Sequence, residues 1–308
     1  MIGIKYPIIQ GAIMQAGGPA LIAAVSNAGG LGVLSSAALN SDQLVSNISE
    51  TRRLTNKPFG VNIQAGVAEF AESRSKIAVE QGVKVVTLGR IDPKTTVIDY
   101  LKANHVRVMA VVGSVYIAKI CEKYGVDIII ASGSEAGGHV GRVATMPLVP
   151  SVVDAVNLPV VAAGGIADAR GFVAALALGA CGVQMGTRFY ATKESTAPKE
   201  QKDKILAATE DSTIVSGALT GFPCRLLNEE IIDDWERQRQ ADPTDKRLKS
   251  LAAEIQKQYW QQSPEAVVSA GQASGLIHSI PSAKEVIEEI IAGSLDICRT
   301  LGGLAGHH

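Results

Sequence analysis

The chain has 308 residues, a formal net charge of −1 and a charged fraction of 19%. That balance offers no basic surface for nucleic acid and no strongly charged tail. Aromatics make up only 4% of a chain that is 46% hydrophobic, so the core must be built from Val, Ile, Leu and Ala.

The N-terminal stretch MIGIKYPIIQGA lacks the apolar core and cleavage site of a signal peptide. Cys121, Cys181, Cys224 and Cys298 are widely spaced, with no CxxC pair and no Cys/His cluster of zinc spacing. A reduced, cytoplasmic protein without a metal site is expected. From residue 7 onward the chain repeats one unit: a short apolar or β-branched run, a Gly-rich or polar turn, then a helix-period stretch. The runs are PIIQ (7–10), LGVL (31–34), FGVN (59–62), VVTL (85–88), VMAVV (108–112), DIIIA (127–131), PVVAA (159–163) and GVQM (182–185). Helical stretches such as SDQLVSNISETRRL and EFAESRSKIAVEQG separate them. Continuous apolar strands alternating with helices indicate a parallel sheet, and eight units close a barrel. The expected fold is therefore an α/β TIM (β/α)8 barrel. An open doubly wound sheet is the competing fold and needs fewer units.

The longest greasy run, FVAALALGACGV (Phe172–Val183), is too short and too often interrupted by Gly to span a bilayer. After residue 190 the rhythm breaks. NEEIIDDWERQRQADPTDKRLKSLAAEIQKQYW (Asn228–Trp260) reads as one or two solvated helices broken at Pro243. Residues 195–282 are thus expected to form a helical insertion, either merely polar or a lid over the barrel mouth. The barrel takes residues 1–194 and 283–308, its last helix being Ala283–Cys298. The closing GHH reads as the stub of a purification tag, so His307 and His308 are left out of the chemistry.

Active sites of such barrels lie at the C-terminal strand ends. Gln10, Gly11 and Ala12 follow the first strand, and Asn62 ends the third. The sixth is followed by ASGSEAGGHVG, in which Gly133, Gly137, Gly138 and Gly141 surround His139. Glycines let a flat ligand approach the backbone, and imidazole suits proton transfer near neutral pH. Glu135 either orients His139 or is a solvated charge, the second being the plainer reading. His105 and His278 lack such a setting and read as structural. After the seventh strand Gly164–Gly165 precede a helix with Asp168 as its N-cap. After the eighth come Gln184, Met185, Gly186 and Thr187. Backbone N–H groups at such turns bind anions, and loops seven and eight are the usual phosphate grip of the fold. Either turn alone would be no more than a tight turn.

QGAIM, SNAGGLG, KPFGVN, SEAGGHVG, PVVAAGGIAD, GVQMGTRF and AGQASGL together resemble the flavin-dependent family of nitronate monooxygenases and bacterial enoyl-ACP reductase II. The resemblance covers nearly the whole chain. It implies a TIM barrel holding FMN non-covalently. Gly164, Gly165, Gly186 and Thr187 would hold the phosphate. Gln10, Gly11, Asn62 and Gln184 would lie along the ribityl chain and ring, with Ala12, Gly133, Gly137, Gly138 and Met185 beside them. His139 would be the catalytic histidine. The segments GHVGRVATMPLVPSVVDAV and DSTIVSGALTGFPCRLL resemble the reductase type. That type implies NADH or NADPH as reductant and an enoyl thioester, possibly on acyl carrier protein, as substrate. Three departures touch the acyl or nicotinamide side: QAG after FGVN, TLGRID (Thr87–Asp92) as the fourth loop, and Phe222 in GFPC. Oxidation of alkyl nitronates with O2 is the alternative, and a non-catalytic flavin-binding barrel the third reading. A nucleotide oxidase using a thiolate would need a Cys in loop six, which has none. A homodimer is expected on the frequency of such assemblies.

Overall fold

Short β-branched runs cannot bury both faces alone, and here each is followed by a helix that covers one of them. The computed structural model describes residues 2–14, 16–89, 97–261 and 263–305. Arg90 to Asp92 of the expected fourth loop and the closing GHH lie outside these residues. In chain order the first half holds β1 (Ile8–Gln10), α1 (Pro19–Asn27), β2 (Leu31–Ser35), α2 (Ser41–Leu54), β3 (Phe59–Gln64), α3 (Ala68–Glu80), β4 (Val85–Gly89) and α4 (Val97–Ala103). Then come β5 (Arg107–Val112), α5 (Val115–Lys123), β6 (Ile128–Ser132), β7 (Gly138–His139), α6 (Thr145–Val153), β8 (Val160–Ala163), α7 (Ala169–Ala177) and β9 (Gly182–Met185). All of these strands except β7 pair in parallel and close into an eight-stranded barrel in the order β1-β2-β3-β4-β5-β6-β8-β9. The ring closes where Ile9 of β1 meets Gln184 of β9. The fold is the TIM barrel that the repeat count predicts.

Local chemistry sets the helix starts. Asn40 and Gln43 exchange hydrogen bonds of 2.9 Å each at the head of α2, a capping box. The Asp168 carboxylate accepts from Arg170 N (2.9 Å) and Gly171 N (3.2 Å), so it caps α7 as its position in the sequence predicts. Inside the barrel, Ile9, Leu31, Val33, Val85, Met109, Ile128, Ile130 and Val161 fill the axis. A larger aliphatic layer packs between strands and helices.

After β9 the chain forms α8 (Thr187–Tyr190), α9 (Lys199–Leu206), β10 (Thr213–Ser216), β11 (Cys224–Leu227), α10 (Glu230–Ala241), α11 (Lys246–Trp260) and a 3-10 turn, Gln272–Leu276. The final helix, α12 (Ala283–Ala305), packs Val286, Ile287 and Ile290 onto the barrel beside α1 and α7. Asp242–Pro243 does divide the charged stretch, and Asp245 caps α11 through Arg247 N at 2.9 Å. The segment is not only helical. β10, β11 and β7 form an antiparallel sheet, in which His139 lies opposite Cys224 and Gly138 opposite Arg225. Four-residue runs such as TIVS and CRLL are too short for their period to stand out from polar surroundings. Ala218, Leu219, Cys224, Leu226, Ile232, Ile255 and Val267 give this cap a small core of its own. Among the described residues no helix is long and apolar enough to cross a membrane.

Candidate active site

A cavity of about 540 Å³ opens at the C-terminal ends of the barrel strands. All eight barrel strands reach it: Gly11 and Ala12 just past β1, Ser35 of β2, Asn62 and Gln64 of β3, Thr87 of β4, Val111 of β5, Ser132 of β6, Ala163 of β8, and Gln184 and Met185 of β9. Twelve of the fourteen residues singled out in the sequence line it: Gly11, Ala12, Asn62, Gly137, Gly138, His139, Gly164, Gly165, Gln184, Met185, Gly186 and Thr187. Two do not. Gln10 is fully buried, and its carboxamide bonds Val33 N (3.1 Å) and Gly11 O, bracing β1 to β2. Gly133 sits behind the wall, where a Cβ would come within 2.1 Å of Thr145 Oγ1.

One end of the cavity is a ring of unspent backbone donors. Gly164 (φ +98°) and Gly165 (φ +73°) turn the chain out of β8 through conformations that suit only glycine. The N–H groups of Gly164, Gly165, Gly186 and Thr187 donate to no other described residue. Thr187 Oγ1 accepts from Gly271 N at 3.0 Å, which leaves its proton to donate elsewhere. Among the described lining residues no Lys or Arg appears and Glu135 is the only carboxylate, so an anion here would be met by backbone dipoles. A phosphate fits that donor set. Further along, Asn62 Nδ2 is spent on Thr87 O (3.2 Å) and Thr87 Oγ1 (2.9 Å), so its carbonyl oxygen is the atom left for a ligand.

Loop six is held on three sides. The Glu135 carboxylate accepts from Thr145 N (2.9 Å) and Thr145 Oγ1 (3.0 Å) at the head of α6. The half-buried carboxylate is thus engaged at the start of α6. Its energy goes into satisfying a helix N-terminus. Gly137 and Gly271 pack backbone against backbone: a Cβ on Gly271 would meet Glu135 O at 2.4 Å, and one on Gly137 would meet Ala270 C at 2.8 Å. Arg225, nearly buried, donates to Ser134 O (2.7 Å) and Thr213 Oγ1 (2.8 Å), and burial pulls its pKa down. His139 is left exposed at the cavity rim, with Nε2 2.9 Å from Thr220 Oγ1 and the Phe222 ring edge-on at 6.4 Å.

The cap supplies the rest of the wall. Thr220, Cys224, Gln256, Tyr259, Trp260 and Ser269 face the same cavity, and sequence reasoning selected none of them. One signal was available: Tyr259–Trp260 is an aromatic pair ending a polar helix in an aromatic-poor chain. Burial raises the Tyr259 phenol to about 12 and the Cys224 thiol to about 11, so both are neutral at physiological pH.

The sequence profile of the family described as nitronate monooxygenase matches residues 1–293. FabK from Thermotoga maritima superposes with a TM-score of 0.91 at 40% identity, covering 98% of this chain and 97% of that one. A protein of Rhodococcus jostii (strain RHA1) named (3aS,4S,5R,7aS)-5-hydroxy-7a-methyl-1-oxo-octahydro-1H-indene-4-carboxyl-CoA dehydrogenase is 36% identical over 99% of this chain and 97% of its own. One from Staphylococcus saprophyticus, named probable nitronate monooxygenase, is 36% identical over 75% of this chain and 78% of its own. With the barrel, the ring of unspent backbone donors and the exposed histidine in place, these matches identify the chain as a member of the nitronate monooxygenase family and a flavin-dependent oxidoreductase.

Proposed function

We propose that this chain binds FMN and uses NADH or NADPH to reduce an α,β-unsaturated acyl thioester, with the acyl group carried on coenzyme A or acyl carrier protein. The observation that carries the reading is the cavity's two-ended build, with unspent backbone donors at one end and the His139 imidazole at the open rim. Gly164, Gly165, Gly186 and Thr187 hold the phosphate. Gly11, Ala12, Asn62, Gln184 and Met185 line the path of the ribityl chain and ring, and Gly137 and Gly138 let the ring approach. When bound, the flavin supplies hydride transfer. His139 does the chain's own chemistry. It hydrogen-bonds the thioester carbonyl, and its proton answers the negative charge that develops on that oxygen.

Support for a thioester over a nitronate comes from the matches that span the whole chain. FabK, an enoyl-ACP reductase II, and the Rhodococcus carboxyl-CoA dehydrogenase are 40% and 36% identical to it, whereas a nitroalkane oxidase of Streptomyces ansochromogenes that aligns just as fully is 26% identical. Oxidation of a nitronate with O2 is the second reading, favoured by the family match itself. There His139 would take the substrate proton or balance the nitronate's charge.

Anaerobic absorbance separates the two. NADH or NADPH should bleach the bound flavin, and an enoyl-CoA should restore its colour. Bleaching by propionate 3-nitronate alone would instead make this a monooxygenase. A protein that takes up no FMN would remove the assignment altogether.

A further inference from the structure

The structure assigns the end of α11 a role in choosing the acyl group, an inference that rests on the thioester reading above. Gln256, Tyr259 and Trp260 are spaced i, i+3, i+4, so they share one face of α11, and all three line the cavity that holds His139. Ile255, one turn before Tyr259, lies in the cap core, and Tyr259 packs against that core, which fixes where this face stands. Ser269 stands across from this face, its Oγ 3.2 Å from Tyr259 Oη.

The hydrogen-bonding capacity of this face is only partly used. Ser269 Oγ also bonds the Cys224 thiol, so the Tyr259, Ser269 and Cys224 protons serve two contacts and the group keeps one donor and spare lone pairs. The Gln256 carboxamide has no hydrogen-bond partner among the described residues. Beside these polar atoms the wall includes apolar groups, namely Leu219, Ala266, Val267 and the edge-packed rings of Tyr259 and Trp260 (5.5 Å, 85°). A plain alkyl acyl group would bury those polar atoms against carbon without replacing their hydrogen bonds to water, which is costly. An oxygen atom on the acyl group would satisfy them. We therefore infer that the preferred substrate class is a thioester whose acyl part carries a hydroxyl or keto oxygen remote from the reacting double bond. Sites built to hydrogen-bond a substrate oxygen reject the analogue lacking it far more strongly than apolar pockets reject an extra methylene.

The test is calorimetric and needs no turnover. The FMN-loaded protein is titrated with hexanoyl-CoA and with 6-hydroxyhexanoyl-CoA. The inference expects the hydroxylated ester to bind at least tenfold tighter. Gln256→Leu and Tyr259→Phe should each bring the two affinities together, while Ser269→Thr, which keeps the hydroxyl, should preserve the preference. Equal affinities in the unaltered protein, or a preference that survives both Gln256→Leu and Tyr259→Phe, would overturn it. Failure of the thioester reading looks different. Neither ester then binds, while the flavin is still reduced by a nitronate, and that result removes the inference together with the reading.

Discussion

The barrel and the cap hold opposite ends of one cavity by different means. The barrel end is backbone, namely glycine turns and unspent N–H groups fixed by strands whose side chains fill a continuous aliphatic core. The cap end is side chain, namely hydroxyls, an amide and two aromatic rings resting on a core of seven buried residues. Backbone geometry can hold a cofactor common to many enzymes, because its shape depends only on the fold. Side chains on a small, separately packed unit can change without disturbing that geometry. His139 stands between the two. It leaves the barrel in loop six but is paired to the cap through β11.

The largest expected effect tests that junction. His139→Ala should leave the flavin bound, since the phosphate end is barrel backbone, and lower kcat by roughly 10² to 10⁴, the usual worth of a general acid or base. The measurement is single-turnover reoxidation of reduced flavin by substrate. An unchanged rate would remove His139 from the chemistry. Loss of flavin would instead show that the two ends are not independent.

A paired core truncation comes next. Ile130 is fully buried on the barrel axis and Ile255 is 1% exposed in the cap core. Ile130→Ala should cost about 2–5 kcal/mol of global stability. It should lower the denaturation midpoint seen by flavin release and by circular dichroism alike. Ile255→Ala should cost about 2 kcal/mol, at the low end of the same range because a small core collapses more easily around a void. Its effect should appear as faster hydrogen exchange in α10 and α11 and a raised KM, with the flavin spectrum kept. If both variants lose flavin together, cap and barrel are one cooperative unit.

The same contrast explains what could be read from the sequence. Barrel strands repeat eight times, and loop seven carries Gly164, Gly165 and Asp168 in a spacing that only a few turns require. Periodicity and position were therefore enough to pick out glycine turns and a histidine that the structure gathers around one cavity. Gln10 was misplaced because a strand-end position does not say which way a side chain points, and this carboxamide turns inward to Val33. The role of Glu135 at the head of α6 was not legible because its partner, Thr145, lies ten residues away beyond a loop. The cap surface was not legible. Gln256, Tyr259 and Ser269 meet only in three dimensions, on elements too short or too polar to announce a buried face.

The smallest expected effect concerns the cap of α7, behind the anion loop. Asp168 is held below the usual carboxylate pKa. Burial works against that shift, but bonds from Arg170 and the backbone N–H groups of Gly171 and Arg170 outweigh it. A group whose folded pKa lies below its unfolded value adds stability above the unfolded value, about pH 4, and loses it as pH falls through the folded value. Asp168→Ala should therefore cost about 1 kcal/mol at neutral pH. The gap from the unaltered protein should close as the solution is made more acidic than the folded pKa. Asp168→Asn separates the two contributions, because Asn caps a helix nearly as well but cannot titrate. It should keep most of the stability at neutral pH and lose less of it in acid. The Arg170 pair adds little to either, since Arg170 is well exposed and the ion pair is screened. If Asp168→Asn is as damaging as Asp168→Ala, the charge matters more than the cap, and the backbone donors of the anion loop would then be sensing the field at the start of α7 as well as its geometry.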